Sequence, residues 1–147
     1  TNGISLNDTI QSVNALLKIK NRNDMFTTVD MIEINLVNGV TTFMKYGACP
    51  TYILRDHEII EVESKTLPMG IVSPLETMIQ KQTLKENDMI FMVSDGFSGH
   101  FREFLKDNEY LIGDDHPKDI AHLFMTLAND EQRNDDMTIM VLKICKQ

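Results

Sequence analysis

The chain has 147 residues, of which 42% are hydrophobic, and 22 acidic against 14 basic residues give it a net charge of −8. This size favours a single domain spanning residues 1–147, and the negative charge argues against nucleic acids or anionic membranes as partners. Because no apolar run approaches the ~20 residues that cross a bilayer, we expect no membrane contact by this piece and a cytoplasmic location, with any anchor of a longer parent protein lying elsewhere.

The first predicted element is a helix that begins after Ser5, a residue type that caps helix N-termini well. Its apolar positions recur at spacings of four, three and four, in the order Leu6, Ile10, Val13 and Leu17. This periodicity places them on one helix face. We expect that face to be buried.

Two hairpins are predicted next. The stretches FTTVDMIEINL and VTTFMKYG are rich in β-branched and aromatic residues and are separated by Asn38-Gly39. Asn-Gly is typical of a type I′ turn, in which both central residues need a positive φ. The stretches TYILR and EIIEV predict a second hairpin about Asp56 and His57, and residues 64–74 are expected to form a loop.

The remaining pattern predicts strands at MIQKQTL and MIFMVS, helices at FREFLKDN and PKDIAHLFMTLAND, and a final strand at TIMVLKI. Strands joined by hairpins, followed by helices grouped together, are typical of an antiparallel α+β fold and not of a doubly wound parallel sheet.

Two groups of acids stand at the ends of strands that are predicted to be buried. Asp95 directly follows MIFMVS, and Asp135 and Asp136 come just before TIMVLKI. If these strands are antiparallel neighbours, the acids meet at one sheet edge, where they repel unless a cation or shared proton lies between them. Oxygen ligands without nearby His or Cys favour Mg²⁺ or Mn²⁺ over zinc. From spacing alone, the alternative is that SDG is only a turn and RNDD only a polar loop.

The motifs resemble those of the metal-dependent PPM (PP2C-type) serine/threonine phosphatases. LKENDMIFMVSDGF is similar to that family's L-x-x-G-D … S-D-G stretch, with Asn87 in place of the usual glycine, and RNDDMTIMVLKI is similar to its closing D-D-M-T strand. KYGACPTYILRDHEIIEVESKTLPMGI resembles the hairpin and L-P-x-G loop between them. The resemblance spans nearly the whole chain and is strongest to the branch of stage II sporulation protein E phosphatase domains. It implies a PP2C-like α-β-β-α sandwich of antiparallel sheets.

The resemblance also implies a mechanism, in which water held by two Mn²⁺ or Mg²⁺ ions attacks a phosphoserine and no Ser or Cys nucleophile takes part. By motif position, Asp95 and Asp135 are metal ligands. Asp136 and Gly96 are expected beside the metals, where Asp136 would bind a metal-held water or cap a turn. A solvated acid is an equally open interpretation of Asp136. The implied partner is a phosphorylated anti-sigma factor antagonist protein in sporulation or stress signalling.

The family's first aspartate motif, similar to D-G-M-G, precedes the helix with which this chain starts. We therefore expect an N-terminally truncated domain, the C-terminal two-thirds of a phosphatase domain, that is weakly active or inactive alone. Exposed strand edges would then favour a homodimer. The alternative function is a non-catalytic, phosphatase-like protein-interaction module.

A few other residues have side chains of the types found in functional sites. Asp30 lies on the inward face of its strand, where a structural hydrogen bond and a metal contact are both open. His100 is interpreted as an exposed loop residue, residues 113–116 as helix-capping chemistry, and Arg102 and Arg133 as surface residues rather than phosphate ligands.

Overall fold

A computed structural model describes residues 6–20, 26–97, 100–113, 115–130 and 135–145, with the backbone alone at 129 and 130. The chain divides into two compact units. The first unit comprises residues 1–48 and 64–82, and the second unit comprises residues 49–63 and 83–147. The single-domain organisation inferred from length stays a prediction.

The first unit contains helix α1 (Leu6–Lys20) and a three-stranded sheet. Its strands are β1 (Val29–Ile34), β2 (Val40–Tyr46) and β5 (Ile79–Thr83), in the spatial order β1-β2-β5. β1 and β2 pair antiparallel, with Val29 opposite Tyr46. The core of the unit consists of Ile10, Met44, Tyr46, Met69 and Leu75.

The second unit contains a four-stranded sheet in the order β4-β3-β6-β7. The strands are β3 (Thr51–Arg55), β4 (Glu58–Val62), β6 (Met89–Val93) and β7 (Ile139–Lys143), and every neighbouring pair is antiparallel. The sheet packs with helices α2 (Phe101–Asn108) and α3 (Pro117–Asp130) around a core of aromatic rings whose centroids lie 5.1 to 6.3 Å apart. Those rings belong to Tyr52, Phe91, Phe97, Phe101, Phe104 and Phe124.

Most element predictions are confirmed. The α+β class with antiparallel sheets is observed, and the helices at FREFLKDN and PKDIAHLFMTLAND have the predicted bounds. The strands at TYILR and EIIEV also have the predicted bounds. The other strands are shorter than predicted by a residue or more, because the ends of those stretches run into turns. Among the helices that the structure describes, none has the length and apolar character needed to cross a membrane.

The predicted buried face of α1 is wrong in part. Leu6 and Val13 are 40% and 44% exposed, whereas Ile10 and Asn14 are buried. Asn14 occupies this face because its amide binds the loop after β4: its Nδ2 donates to the Val72 carbonyl at 2.9 Å, and its Oδ1 accepts from the Gly70 amide at 2.8 Å. Apolar periodicity does not reveal this residue, because the burial of Asn14 depends on its hydrogen bonds and not on hydrophobicity.

The two hairpins exist, but the turn type predicted at Asn38-Gly39 is wrong. Of the two residues only Gly39 has a positive φ, and its amide donates to the Asn35 carbonyl at 2.8 Å across a wider loop. The type I′ pattern occurs in the second hairpin instead, where Asp56 and His57 have φ of 49° and 66°. Asp and His tolerate this left-handed conformation better than most residues do.

Candidate metal site at two adjacent strand ends

The two acidic motifs lie at the same edge of the second unit's sheet. Asp95 begins a short 3-10 turn just after β6, and the segment from Asp135 leads directly into β7. β6 and β7 are antiparallel neighbours, with Val93 opposite Ile139. The adjacency expected from the sequence is therefore observed, and it follows from the pairing of these two strands.

Hydrogen bonds extend this pairing beyond the ends of the strands. The Ser94 amide donates to the Thr138 carbonyl at 3.0 Å, and the Thr138 amide donates to Ser94 Oγ at 2.8 Å. Ser94 Oγ also donates to the Asp136 carbonyl at 3.4 Å. The backbone next to each acidic residue is thus held by the opposite motif.

Gly96 lies in close contact with the other motif. A Cβ at this position would be 2.3 Å from the Asp136 carbonyl oxygen and 2.9 Å from Met137 Cγ. No side chain fits at that distance. Gly96 thus lies against the backbone of the opposite motif, and its expected place beside the metals stays a prediction.

The carboxylates of Asp95, Asp135 and Asp136 belong to exposed residues. Asp135 Oδ1 accepts the amide hydrogen of Asp136 at 2.8 Å, which orients that carboxylate. Phe97 is fully buried two residues after Asp95 and anchors the turn that carries it. Exposed carboxylates on a fixed backbone are the kind of oxygen ligand that a partly hydrated divalent cation uses.

The donor type fits Mn²⁺ or Mg²⁺, because the residues that meet here offer carboxylate oxygen and neither thiolate nor imidazole. The number of candidate carboxylate ligands is enough for only part of a two-metal centre. Within the described ranges no three His, Cys, Asp or Glu residues form a group that would hold a metal ion. The assignment of Asp95 and Asp135 as ligands stays a prediction, as does that of Asp136.

The other candidate residues have structural or surface roles. Asp30 pairs across the β1–β2 ladder with the buried Lys45 at 2.5 Å, in agreement with the structural interpretation. Arg102 lies 3.7 Å from the Glu61 carboxylate, and His100 is exposed just before α2.

The predicted capping chemistry before α3 is observed in one contact. His116 Nδ1 accepts a hydrogen bond from the Lys118 amide at 3.2 Å. Asp114 and Arg133 lie outside the described residues.

One buried ion pair of the second unit was not predicted from the sequence. Arg55, at the end of β3, donates twice to the Asp88 carboxylate, at 2.8 Å from Nε and 2.6 Å from the terminal nitrogen. The Lys85 amide also donates to Asp88 at 2.7 Å. The bond to Asp88 raises the pKa of the Arg55 guanidinium. The polar turn before β6 was visible in the sequence, but its pairing partner 33 residues away was not.

The sequence profile of the stage II sporulation protein E family matches residues 1–144. The chain belongs to this family. Among curated members of the stage II sporulation protein E family, the one from Priestia megaterium is 30% identical over 97% of this chain, and the one from Bacillus subtilis strain 168 is 28% identical over 97%. The chain spans 26% and 18% of their lengths.

Solved structures agree with this family assignment. The phosphatase domain of the Bacillus subtilis family member, presoaked with manganese, is 26% identical and superposes with a TM-score of 0.71 over 99% of this chain and 68% of that one. A structure with part of its regulatory domain gives a TM-score of 0.83 over 97% of this chain and 46% of that one. The phosphatase PstP with two manganese ions shares the fold, with 16% identity and a TM-score of 0.75 over 95% of this chain and 68% of that one. This stage II sporulation protein E family chain therefore has the PP2C-type serine/threonine phosphatase fold.

Proposed function

We propose that this chain carries one side of the metal centre of a phosphoprotein phosphatase, with Asp95 and Asp135 as its ligands. The observation that carries the proposal is the junction of the two acidic motifs at the β6–β7 edge, where Ser94 and Thr138 join their backbones. Family membership and the PP2C-type fold support it, as do the manganese presoak of the Bacillus subtilis phosphatase domain and the two manganese ions bound to PstP.

The chain's own residues would hold and orient the metals. When bound, two Mn²⁺ or Mg²⁺ ions activate water for in-line attack and neutralise charge on the phosphoryl oxygens. The buried Phe97 limits the movement of Asp95. The Asp136 amide orients the Asp135 carboxylate. Gly96 presents no side chain towards the opposite motif.

The proposed substrate is a phosphoserine on an anti-sigma factor antagonist, acting in sporulation. Support comes from membership of a sporulation family. The net charge of −8 argues against a polyanionic substrate such as nucleic acid. We also propose that the native centre is binuclear and takes Mn²⁺ or Mg²⁺.

We further propose that the 147-residue chain by itself hydrolyses phosphoserine slowly or not at all. Two carboxylates leave a small divalent ion with most of its waters, so it binds weakly. The test compares manganese-dependent hydrolysis of a phosphoserine peptide by this chain and by a version extended to the length of its relatives' phosphatase domain. Equal rates would contradict the proposal.

The ligand assignment is tested in the extended protein with Asp95→Asn and Asp135→Asn. Each substitution should lower hydrolysis by at least about a hundredfold, because outer-shell changes alone cost roughly 10- to 100-fold in such sites. Asp107→Asn is the matched control, since Asp107 is an exposed acid on α2 of the same unit. Full activity in either site variant would show that the assignment is wrong. An extended protein that binds the phosphorylated partner but never hydrolyses it would support the interaction-module alternative.

A homodimer remains part of the proposal. Among the described strands, β1 and β5 lie at the edges of one sheet and β4 and β7 at the edges of the other, and such edges pair readily with a second chain. Sedimentation at low micromolar concentration tests this. A monomer across the concentration range would rule the dimer out.

A further inference from the structure

Ser94 joins the two acidic motifs through one hydroxyl group. Its oxygen accepts the Thr138 amide hydrogen at 2.8 Å while its own hydrogen points to the Asp136 carbonyl at 3.4 Å. A hydroxyl donates and accepts at once, whereas an alanine does neither and a thiol does both only weakly. The contact therefore depends on the chemistry of Ser94 as well as on its size.

The two groups that Ser94 holds are next to the proposed ligands in the chain. Asp95 follows Ser94 directly, and Asp135 precedes Asp136 directly. The last ladder pair of the two strands is Val93 with Ile139, so regular pairing ends before either acid is reached. Beyond that point, the contacts between the motifs among the described residues include those of Ser94 and the close approach of Gly96 to Asp136 and Met137.

We propose that Ser94 is a positioning residue for the metal centre: it sets the separation of Asp95 and Asp135 by fixing the backbone beside each of them. This inference rests on the proposed function. It assigns to Ser94 a role through its neighbours and no direct contact with metal or substrate.

A positioning role of Ser94 and a purely structural role predict different effects when Ser94 is replaced. Ser94 lies at a partly exposed strand end, and Thr138 is exposed, so two hydrogen bonds there contribute little to global stability. In contrast, a change of a few tenths of an ångström in the distance between two carboxylates weakens the binding of a cation that both must contact. Ser94→Ala should thus lower metal affinity while the unfolding midpoint changes little.

The experiment measures the Mn²⁺ affinity of the extended protein by electron paramagnetic resonance, together with its thermal unfolding without metal. Ser94→Ala should raise the Kd for Mn²⁺ about tenfold, the lower limit for residues that orient metal ligands. Ser94→Thr keeps the hydroxyl and should bind as the wild type does. Ser12→Ala is the matched control, because Ser12 donates only to the Asp8 carbonyl within α1.

A second measurement follows the hydrogen bond itself. Amide hydrogen exchange of the peptide that contains Thr138 should be faster in Ser94→Ala and unchanged in Ser94→Thr. If Ser94→Ala does not fold, Ser94→Cys replaces it, since a thiol leaves no cavity in place of the hydroxyl but hydrogen-bonds only weakly. Its Mn²⁺ Kd should also rise.

The outcomes separate this inference from the proposed function. If Asp95→Asn weakens Mn²⁺ binding and Ser94→Ala or Ser94→Cys does not, the positioning role is wrong and the ligand assignment stands. If Asp95→Asn binds Mn²⁺ as tightly as the wild type, the ligand assignment fails and the inference fails with it. If Ser94→Ala and Ser94→Thr weaken binding equally, the hydroxyl is not the cause and the inference is overturned.

Discussion

Asn14 Oδ1 accepts a hydrogen bond from the backbone amide of Gly70 at 2.8 Å, in a position from which water is excluded. The same side chain donates to Val72, and Gln11 one turn earlier both donates to and accepts from the backbone of Leu75. Amide side chains on one face of α1 thus satisfy backbone groups of a loop that has no regular structure of its own. This arrangement explains how a long loop is held in the first unit.

Replacing Asn14 with leucine should destabilise the protein by about 2–3 kcal/mol, because a buried amide and a carbonyl lose their partners. Urea unfolding followed by circular dichroism measures the difference. Asn7→Ala is the control on the same helix, since its contact with Thr77 is exposed, and it should cost less than about 1 kcal/mol. Equal stability of Asn14→Leu and wild type would mean that apolar packing of leucine compensates for the lost hydrogen bonds to the loop.

The Arg55–Asp88 pair should contribute strongly to the second unit. Asp88 is 1% exposed and receives three hydrogen bonds, so Asp88→Ala should cost roughly 2–4 kcal/mol by leaving Arg55 without its partner. Chemical unfolding of this variant is compared with Glu61→Gln, which removes a longer and more exposed pair with Arg102 and should cost less than about 1 kcal/mol. Similar losses in the two variants would contradict the importance of burial.

Gly96→Ala should be poorly tolerated. The added Cβ would meet the Asp136 carbonyl oxygen at 2.3 Å, so the two motifs must move apart, at a cost of about 1–3 kcal/mol. The variant should also bind Mn²⁺ less tightly in the extended protein. Gly113→Ala is the matched control, because the nearest atom to its added Cβ is 3.9 Å away and the change should be almost neutral. A fully stable Gly96→Ala protein would show that the two motifs are less closely packed than these distances indicate.

Tyr52 should titrate later than an ordinary tyrosine. Burial, followed by the nearby Glu61 carboxylate, raises its pKa from 10.0 to about 12. Because the folded-state pKa is above the unfolded value, the contribution of Tyr52 to stability is fully present below pH 10 and is lost as the pH rises through about 12.

Ultraviolet absorbance of tyrosinate checks this shift. Tyr52→Phe should remove the late step of the titration, whereas Tyr110→Phe, at a site 77% exposed, should leave it in place. Unfolding measured between neutral pH and pH 10 should show no loss from Tyr52. A late step that survives in Tyr52→Phe would assign it to another tyrosine.

Most helices and strands, and the candidate acids, could be predicted from the amino-acid sequence. Local patterns suffice for this, because the apolar stretch MIFMVS and the turn residues after it define a buried strand that ends at Asp95. The same logic placed Asp135 just before the last strand. That the two strands are antiparallel neighbours, which brings both acids to one edge, was a condition that the structure supplied.

Which polar residues are buried, and which groups they bind, became visible only in the folded chain. Asn14, Arg55 and Asp88 look like ordinary surface residues in the sequence, and their partners lie 56, 33 and 33 positions away. The role of Ser94 likewise depends on Thr138, which lies 44 positions later in the chain. Hydrophobic periodicity reports which face is buried on average, whereas a polar contact depends on the exact position of one distant backbone group, which is set by folding alone.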